Sequence, residues 1–517
     1  MNAGRIRIAM ICGLALGSGV ASGAPANQPC EQLRTACENV GFAQGAATKG
    51  SGLWMDCVLP LMRGHPQRPQ ATKPLPEVSP EIVTACHAHN PDFGSPAVHD
   101  ERPAPPLTIT FTAAKNDQAL HTPSGMTIIP DEHTTIMPVA RTDPPSYLFF
   151  VATNNTGFDV GAAALESSDL IHFNAAPGFG NADHGGLVMW SPSGFQDCHY
   201  SGAPVFDQNY AAPGSVVRDP TLPEGNLIML YEAERHCPGG GGSAPEFNYW
   251  AAVGLARSSD GGKTWPAPGH YGNERYAALQ IPGTEPSTPH ADFGDALPSA
   301  FVDDVKSEKA DHYLYVVYYF NGTPATRPDG FMRVARARLG GSGKLEFKKW
   351  YVDPTTKKGG FTQDGSGGAD SAFTPSVGCA EPSYQINGEI NYDDALGLYM
   401  LTFVCTTMQR QTDGSYKRIE AGWYFSTATS LETQNWTSPQ LIVNSAAPTK
   451  DDWNWNGWYP SFMSPGCEAG HLGLSGTVFF LAGSPVGART FQSRAFTIDA
   501  AERKSGGGCG QRAHFSQ

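Results

Sequence analysis

Residues 218–221, Arg218-Asp219-Pro220-Thr221, are followed by the apolar run Leu227-Ile228-Met229-Leu230-Tyr231-Glu232, and residues 251–265 then end in Lys263-Thr264-Trp265. The run is short, rich in residues that favour strands, and bounded by Pro, Gly and Asn, so it reads as a β-strand. The same order recurs along the chain. Polar residues beside small residues or proline stand at 133–138, 295–299, 381–384 and 459–462, and strand-like runs follow them at 147–152, 312–320, 398–405 and 477–482. A second signal trails each anchor, at 162–173, 251–265, 331–350, 422–436 and 488–498. Two signals in phase, repeating roughly every 80 residues, are the mark of a repeat architecture.

Five such units account for residues 106–517. A unit of that length holds four antiparallel strands, and a ring of units leaves few exposed edges, so the expected fold is all-β, a five-bladed β-propeller. A sandwich or a β-helix does not require two phased signals per repeat.

The rest of the chain differs. Residues 1–24 carry Arg5 and Arg7 before an apolar stretch, then small residues from Val20 to Ala24, and read as a signal peptide; the expected location is secreted or periplasmic. Residues 25–105 hold helical spacing at 30–45, 52–64 and 79–90, four cysteines (Cys30, Cys37, Cys57, Cys86) and a Pro-rich linker. This predicts a small helical module that depends on two disulfides, with three pairings open. Farther on, Cys379 and Cys405 flank a turn and are expected to bridge, leaving Cys198 with Cys237 and Cys467 with Cys509.

Glycine (59 residues) and proline (42 residues) are abundant, which disfavours a helical bundle. A formal net charge of -14 with no basic run excludes nucleic acid as a natural partner, and no later stretch is apolar and long enough to insert in a membrane.

In a propeller the first strand of each unit faces the axis. The five anchors place His133, Asp219, Asp295, Glu381 and Tyr459 there, and carboxylates gathered in one hollow raise each other's pKa, which suits acid/base chemistry. Residues 452–459 add Trp453, Trp455, Trp458 and Tyr459 among Asn and Asp, the composition of a surface on which sugar rings stack. His133, His184 and His236 lack metal-ligand spacing, so neither a metal nor a cofactor is expected.

Two resemblances sharpen this reading. Residues 258–265, Ser258-Ser259-Asp260-Gly261-Gly262-Lys263-Thr264-Trp265, resemble the Asp-box, Ser-x-Asp-x-Gly-x-Thr-Trp, of sialidases and other propellers, with weaker echoes at 167–173 and 430–436. The order Asp219, Asp295, Glu381, one per unit, resembles the five-bladed glycoside hydrolases of family 43 and their relatives. The resemblance implies a glycosidase in which Asp219 is the general base, Asp295 tunes the acid's pKa, and Glu381 is the general acid. His133, Arg218, Trp455, Trp458 and Tyr459 would contact a carbohydrate substrate, and a structural Ca²⁺ in the axial channel is implied by the resemblance alone. The Arg218-Asp219-Pro220 and Cys379-Ala380-Glu381 segments resemble invertase-like family 32 more faintly, without its Asn-Asp-Pro-Asn-Gly segment. A sialidase-like exo-glycosidase would need an arginine triad, whereas Arg218 alone stands at an anchor. A non-catalytic carbohydrate-binding propeller would have no use for three axial carboxylates.

Overall fold

The structure is a computed structural model of the 517-residue chain. It describes residues 29–43, 50–63, 67, 71–89, 107–112, 118–123, 132–139, 145–153, 161–191, 206–207, 210–237, 248–280, 293–304, 312–321, 332–373, 383–410, 416–444, 456–482, 490–500 and 509. The expected signal peptide therefore lies outside the described residues. The chain divides into two compact units, Met1–Pro103 and Ala104–Gln517.

The first unit is helical. Helices α1 (Pro29–Asn39), α2 (Leu59–Arg63, continuing a π-helical turn Leu53–Val58) and α3 (Pro80–His89) enclose Leu33, Phe42, Leu53, Trp54, Val58 and Met62. Disulfides Cys30–Cys86 and Cys37–Cys57 join α1 to α3 and to the π turn. A core this small supplies little burial energy, so the cross-links reduce the entropy of the unfolded chain instead.

The second unit is almost entirely β. After β1 (Leu107–Phe111) and β2 (Gln118–Ala119) come five antiparallel meanders. The first is β3 (Thr135–Pro138), β4 (Tyr147–Thr153), β5 (Gly161–Ser167) and β6 (Asn174–Ala175), with β7 (Met189–Trp190) added beside β5. The second is β8 (Tyr210–Arg218), β9 (Leu227–Cys237), β10 (Asn248–Ser258) and β11 (Arg275–Leu279). The third is β12 (Phe293–Asp303), β13 (Tyr313–Asn321), β14 (Met332–Arg338), β15 (Lys348–Val352) and β16 (Gly359–Asp364). The fourth is β17 (Ser383–Asp393), β18 (Leu398–Arg410), β19 (Tyr416–Ala428) and β20 (Gln440–Asn444). The fifth begins with β21 (Asn456–Met463), passes a short β22 (His471–Leu472), and continues with β23 (Ser475–Ala482) and β24 (Thr490–Ala500). Its fourth strand is β1, paired from Leu107↔Ala500 to Phe111↔Phe496.

Strand β9 is buried on both faces from Leu227 to Glu234, because neighbouring meanders cover both sides. The larger apolar clusters of the second unit lie between meanders. Tyr231 and Trp265 pack with Phe150 between the first and second, and Leu230 with Val316 between the second and third. Val317 packs with Phe403 between the third and fourth, and Trp423 with Phe480 between the fourth and fifth. The remaining cluster joins Phe149 of the first meander to Phe479 and Phe491 of the fifth, so the order of contacts is cyclic.

The turn at 258–265 connects the third and fourth strands of its meander. Asp260 accepts hydrogen bonds from Thr264 N (3.1 Å), Thr264 Oγ1 (2.6 Å) and Ser258 Oγ (2.7 Å), and the Trp265 indole donates to the Gly262 carbonyl (2.9 Å). Gly262 has φ 88°, and a Cβ there would lie 2.6 Å from the Phe150 ring, so both conformation and space require glycine.

Candidate functional site

The first strands of four meanders carry the same irregularity. Pairing slips by a bulge at Pro213/Ser215 in β8, Ala296/Ser299 in β12, Ile386/Glu389 in β17 and Trp458/Ser461 in β21. Leu297, Asn387 and Tyr459, two positions before Ser299, Glu389 and Ser461, all have φ between 52° and 54°. Left-handed backbone at non-glycine residues costs energy and is retained where a side chain must be re-aimed.

What the bulges serve is a set of bonds between neighbouring meanders. Val216 N donates to Thr135 Oγ1 (2.7 Å), Ala300 N to Ser215 Oγ (2.9 Å), Phe462 N to Glu389 Oε2 (3.0 Å) and Thr134 N to Ser461 Oγ (2.9 Å). The first strands therefore stand side by side around a common line. Thr135, Ser215, Ser299 and Ser461 supply hydroxyls at this level, whereas the fourth meander supplies the carboxyl of Glu389.

Glu389 is only partly buried. Burial raises its pKa to about 8, against the opposing hydrogen bond from Phe462 N. Two residues earlier, Asn387 is 1% exposed and neither amide atom meets a hydrogen-bond partner among the described residues. A buried amide in that state calls for water or a ligand. His133 and Tyr459 face each other edge-on with ring centroids 6.1 Å apart. Burial pushes the His133 imidazole down to about 4, against the Pro460 backbone, so it is neutral at pH 7. Glu132, fully buried, precedes it.

The other sequence-derived site residues are dispersed. Asp219 follows the last residue of β8, four positions beyond Ser215; Asp295 lies four positions before Ser299 near the start of β12. Because Ser215 lies level with Ala300, Asp219 stands four positions beyond that level and Asp295 five positions before it, toward opposite ends of neighbouring first strands. The expectation that they share one hollow is therefore corrected. Asp219 instead closes a turn, accepting from Thr221 N (3.0 Å) and Oγ1 (2.7 Å), and pairs with Arg257 at 3.2 Å with both side chains almost buried. Arg218 is exposed beside Glu224 (3.8 Å), at the same far end.

Asp295 is buried but bonded to Lys349 Nζ (2.9 Å), which lies 4.0 Å from Asp370. Asp370 in turn accepts from Tyr318 OH (3.0 Å) and Arg333 Nε (3.2 Å). This is an ionic network within the third meander. Trp458 packs against the apolar cluster between the fourth and fifth meanders instead of forming an open stacking surface. Glu381, Trp455 and Cys379 lie outside the described residues. Cys405 is disulfide-bonded and stands opposite Gln385, and Cys467 is bonded to Cys509.

Among the described residues of the expected set, His133 and Tyr459 come together. Sequence reasoning missed Asn387 and Glu389. Their signal was an interruption of strand periodicity, Asn387-Gly388-Glu389, equivalent to Leu297-Pro298-Ser299 and Tyr459-Pro460-Ser461. Among the described residues no group of three or more His, Cys, Asp or Glu is placed to hold a metal ion. A groove of about 690 Å³ at the outer edges of the third and fourth meanders is lined by Arg336, Trp350, Phe361, Phe373 and Trp436, away from the axial residues.

No protein-family model matches the sequence, and no curated protein matches it. Among solved structures, an α-L-arabinofuranosidase from Podospora anserina is similar at 11% identity, covering 77% of this chain and 99% of that one, with a TM-score of 0.38. An endo-arabinase from Bacteroides thetaiotaomicron is similar at 11% identity, covering 75% and 100%, with a TM-score of 0.32. A levansucrase from B. megaterium is similar at 9% identity, covering 78% and 93%, with a TM-score of 0.39.

Proposed function

We propose that the second unit is a five-bladed β-propeller that hydrolyses glycosidic bonds of a neutral carbohydrate near its axis, at the level of the first-strand bulges, in a protein secreted or periplasmic by virtue of its leader. One observation carries the reading: at the level of the first-strand bulges, where the other meanders supply hydroxyls, the fourth supplies the carboxyl of Glu389, and burial raises its pKa to about 8. A general acid for glycoside cleavage must hold its proton at working pH and deliver it to the leaving oxygen. Glu389, neutral His133, the Asn387 amide and the Tyr459 phenol offer hydrogen-bond donors and acceptors without a fixed positive charge, which matches hydroxyl-rich, uncharged substrates such as an arabinan or arabinoxylan. The net charge of -14 also disfavours a uronate-rich chain. We assign the second carboxylate to Glu132, beside His133. Glu381, the acid by family resemblance, lies eight positions before Glu389 and is the competing proton donor.

The engagement of Asp219 with Arg257 and of Asp295 with Lys349 favours a second reading, a carbohydrate-binding propeller without catalysis. Release of reducing ends from a panel of neutral polysaccharides separates the two, using the native protein and Glu389→Gln, Glu132→Gln and Glu381→Gln. The expected result is hydrolysis that falls as pH rises through about 8 and drops by about 10²–10⁴-fold in Glu389→Gln. Full activity in Glu389→Gln with loss in Glu381→Gln moves the acid to Glu381. Saturable glycan binding without hydrolysis by the native protein replaces the enzyme with the binding module.

A further inference from the structure

Residues 118–121 cross from the fifth meander to the first. Gln118 and Ala119 pair with Ser493 and Gln492 of β24, and Leu120 N donates to the Phe491 carbonyl (3.1 Å). His121 then joins the first meander: its N–H donates to the Ile171 carbonyl (2.9 Å), and its carbonyl accepts from Phe173 N (2.8 Å). This places His121 beside His172 across a two-residue bridge, and the rings stack with centroids 4.8 Å apart and planes 9° from parallel.

His172 is held from behind. It lies in the turn at 167–173, where Asp169 plays the part that Asp260 plays at 258–265. In the latter turn the second carboxylate oxygen is bonded by Thr264; here Asp169 Oδ2 meets His172 Nδ1 at 2.7 Å. The other oxygen accepts from Ile171 N (2.9 Å) and His172 N (2.8 Å). The 2.7 Å contact with Asp169 Oδ2 assigns the His172 proton to Nδ1. The Nε2 lone pair of His172 then points away from the carboxylate into solvent; the side chain is 64% exposed. A carboxylate behind one imidazole nitrogen with the other left open is the arrangement that supports metal-ligating histidines.

We infer that His121 and His172 form a chelate for a borderline divalent first-row cation, with Zn²⁺, Ni²⁺ or Cu²⁺ as the class, that clasps the fifth meander to the first. Metal–nitrogen bonds near 2.0–2.1 Å need ring nitrogens about 3–4 Å apart. Rings already side by side on an exposed edge reach that separation by rotating about their Cβ–Cγ bonds, and water completes the coordination. Imidazole suits these ions better than Mg²⁺ or Ca²⁺, which take oxygen ligands. The metal would tie together two segments more than fifty residues apart that meet where the cyclic order of meanders closes.

The test is calorimetric titration of the full, untagged protein with Zn²⁺ alone at pH 7.5, together with thermal melts with and without the ion. The expected result is one saturable site, weakened at least tenfold in His121→Ala and in His172→Ala, and about tenfold in Asp169→Asn. Zn²⁺ should raise the melting temperature of the native protein and not of the two histidine variants. Circular dichroism confirms that each variant is folded; His121→Ala, lying outside the turn, leaves the Asp169 bonds intact. Unchanged stoichiometry and affinity in both histidine variants, or no saturable binding by the native protein, overturns the inference.

Discussion

Asp219 and Asp295 illustrate what a single residue reveals and conceals. Each was recognisable as an acid beside a strand, yet the end of the strand at which an acid sits depends on where pairing begins and stops, and short flanking patterns such as Asp-Pro do not encode that. Their partners, Arg257 and Lys349, are 38 and 54 residues away in sequence, so neither ion pair was legible. The Asp295–Lys349 pair makes a direct prediction. Removing one member of a buried pair leaves the other charged and desolvated, so Lys349→Met should destabilise the second unit by about 3–5 kcal/mol. Replacing both, as Asp295→Leu with Lys349→Met, should recover most of that loss. Denaturant midpoints for the three proteins check this; equal midpoints for native and Lys349→Met would refute it.

At the scale of elements, the turn at 258–265 was readable because its hydrogen bonds are local, made by side chains within four residues of their acceptors. The clasp formed by β22 was not. His471 on β22 lies 3.2 Å from Asp394, just after β17, and 3.7 Å from Asp304, just after β12, and so links the third, fourth and fifth meanders. Burial alone would lower its pKa, but the two carboxylates outweigh burial and raise it to about 9. The folded protein thus binds this proton more tightly than the unfolded chain does. Stability from this group is fully present below about pH 6.5 and is lost as pH rises through about 9. Urea unfolding from pH 6 to pH 9.5 should show that decline in the native protein and a shallower one in His471→Gln; parallel profiles would exclude the clasp.

For the molecule as a whole, the β character was legible: short apolar runs bounded by Pro, Gly and Asn implied many antiparallel strands, and the second unit is almost entirely β. The level of the axial residues was not, because it depends on bulges that add a residue to one strand without altering its composition. The fifth meander combines the two ends of this unit. Since β1 pairs along its length with β24, a protein beginning after Thr112 should expose the β24 edge and aggregate. Light scattering of the truncated and full-length chains would test this, and a monomeric truncated protein would refute it. The same pairing has a temporal consequence. Leu107–Phe111 leaves the ribosome almost four hundred residues before the strand that shelters it. During that interval an apolar segment waits without its neighbour, and its capture by β24 is a high-contact-order step.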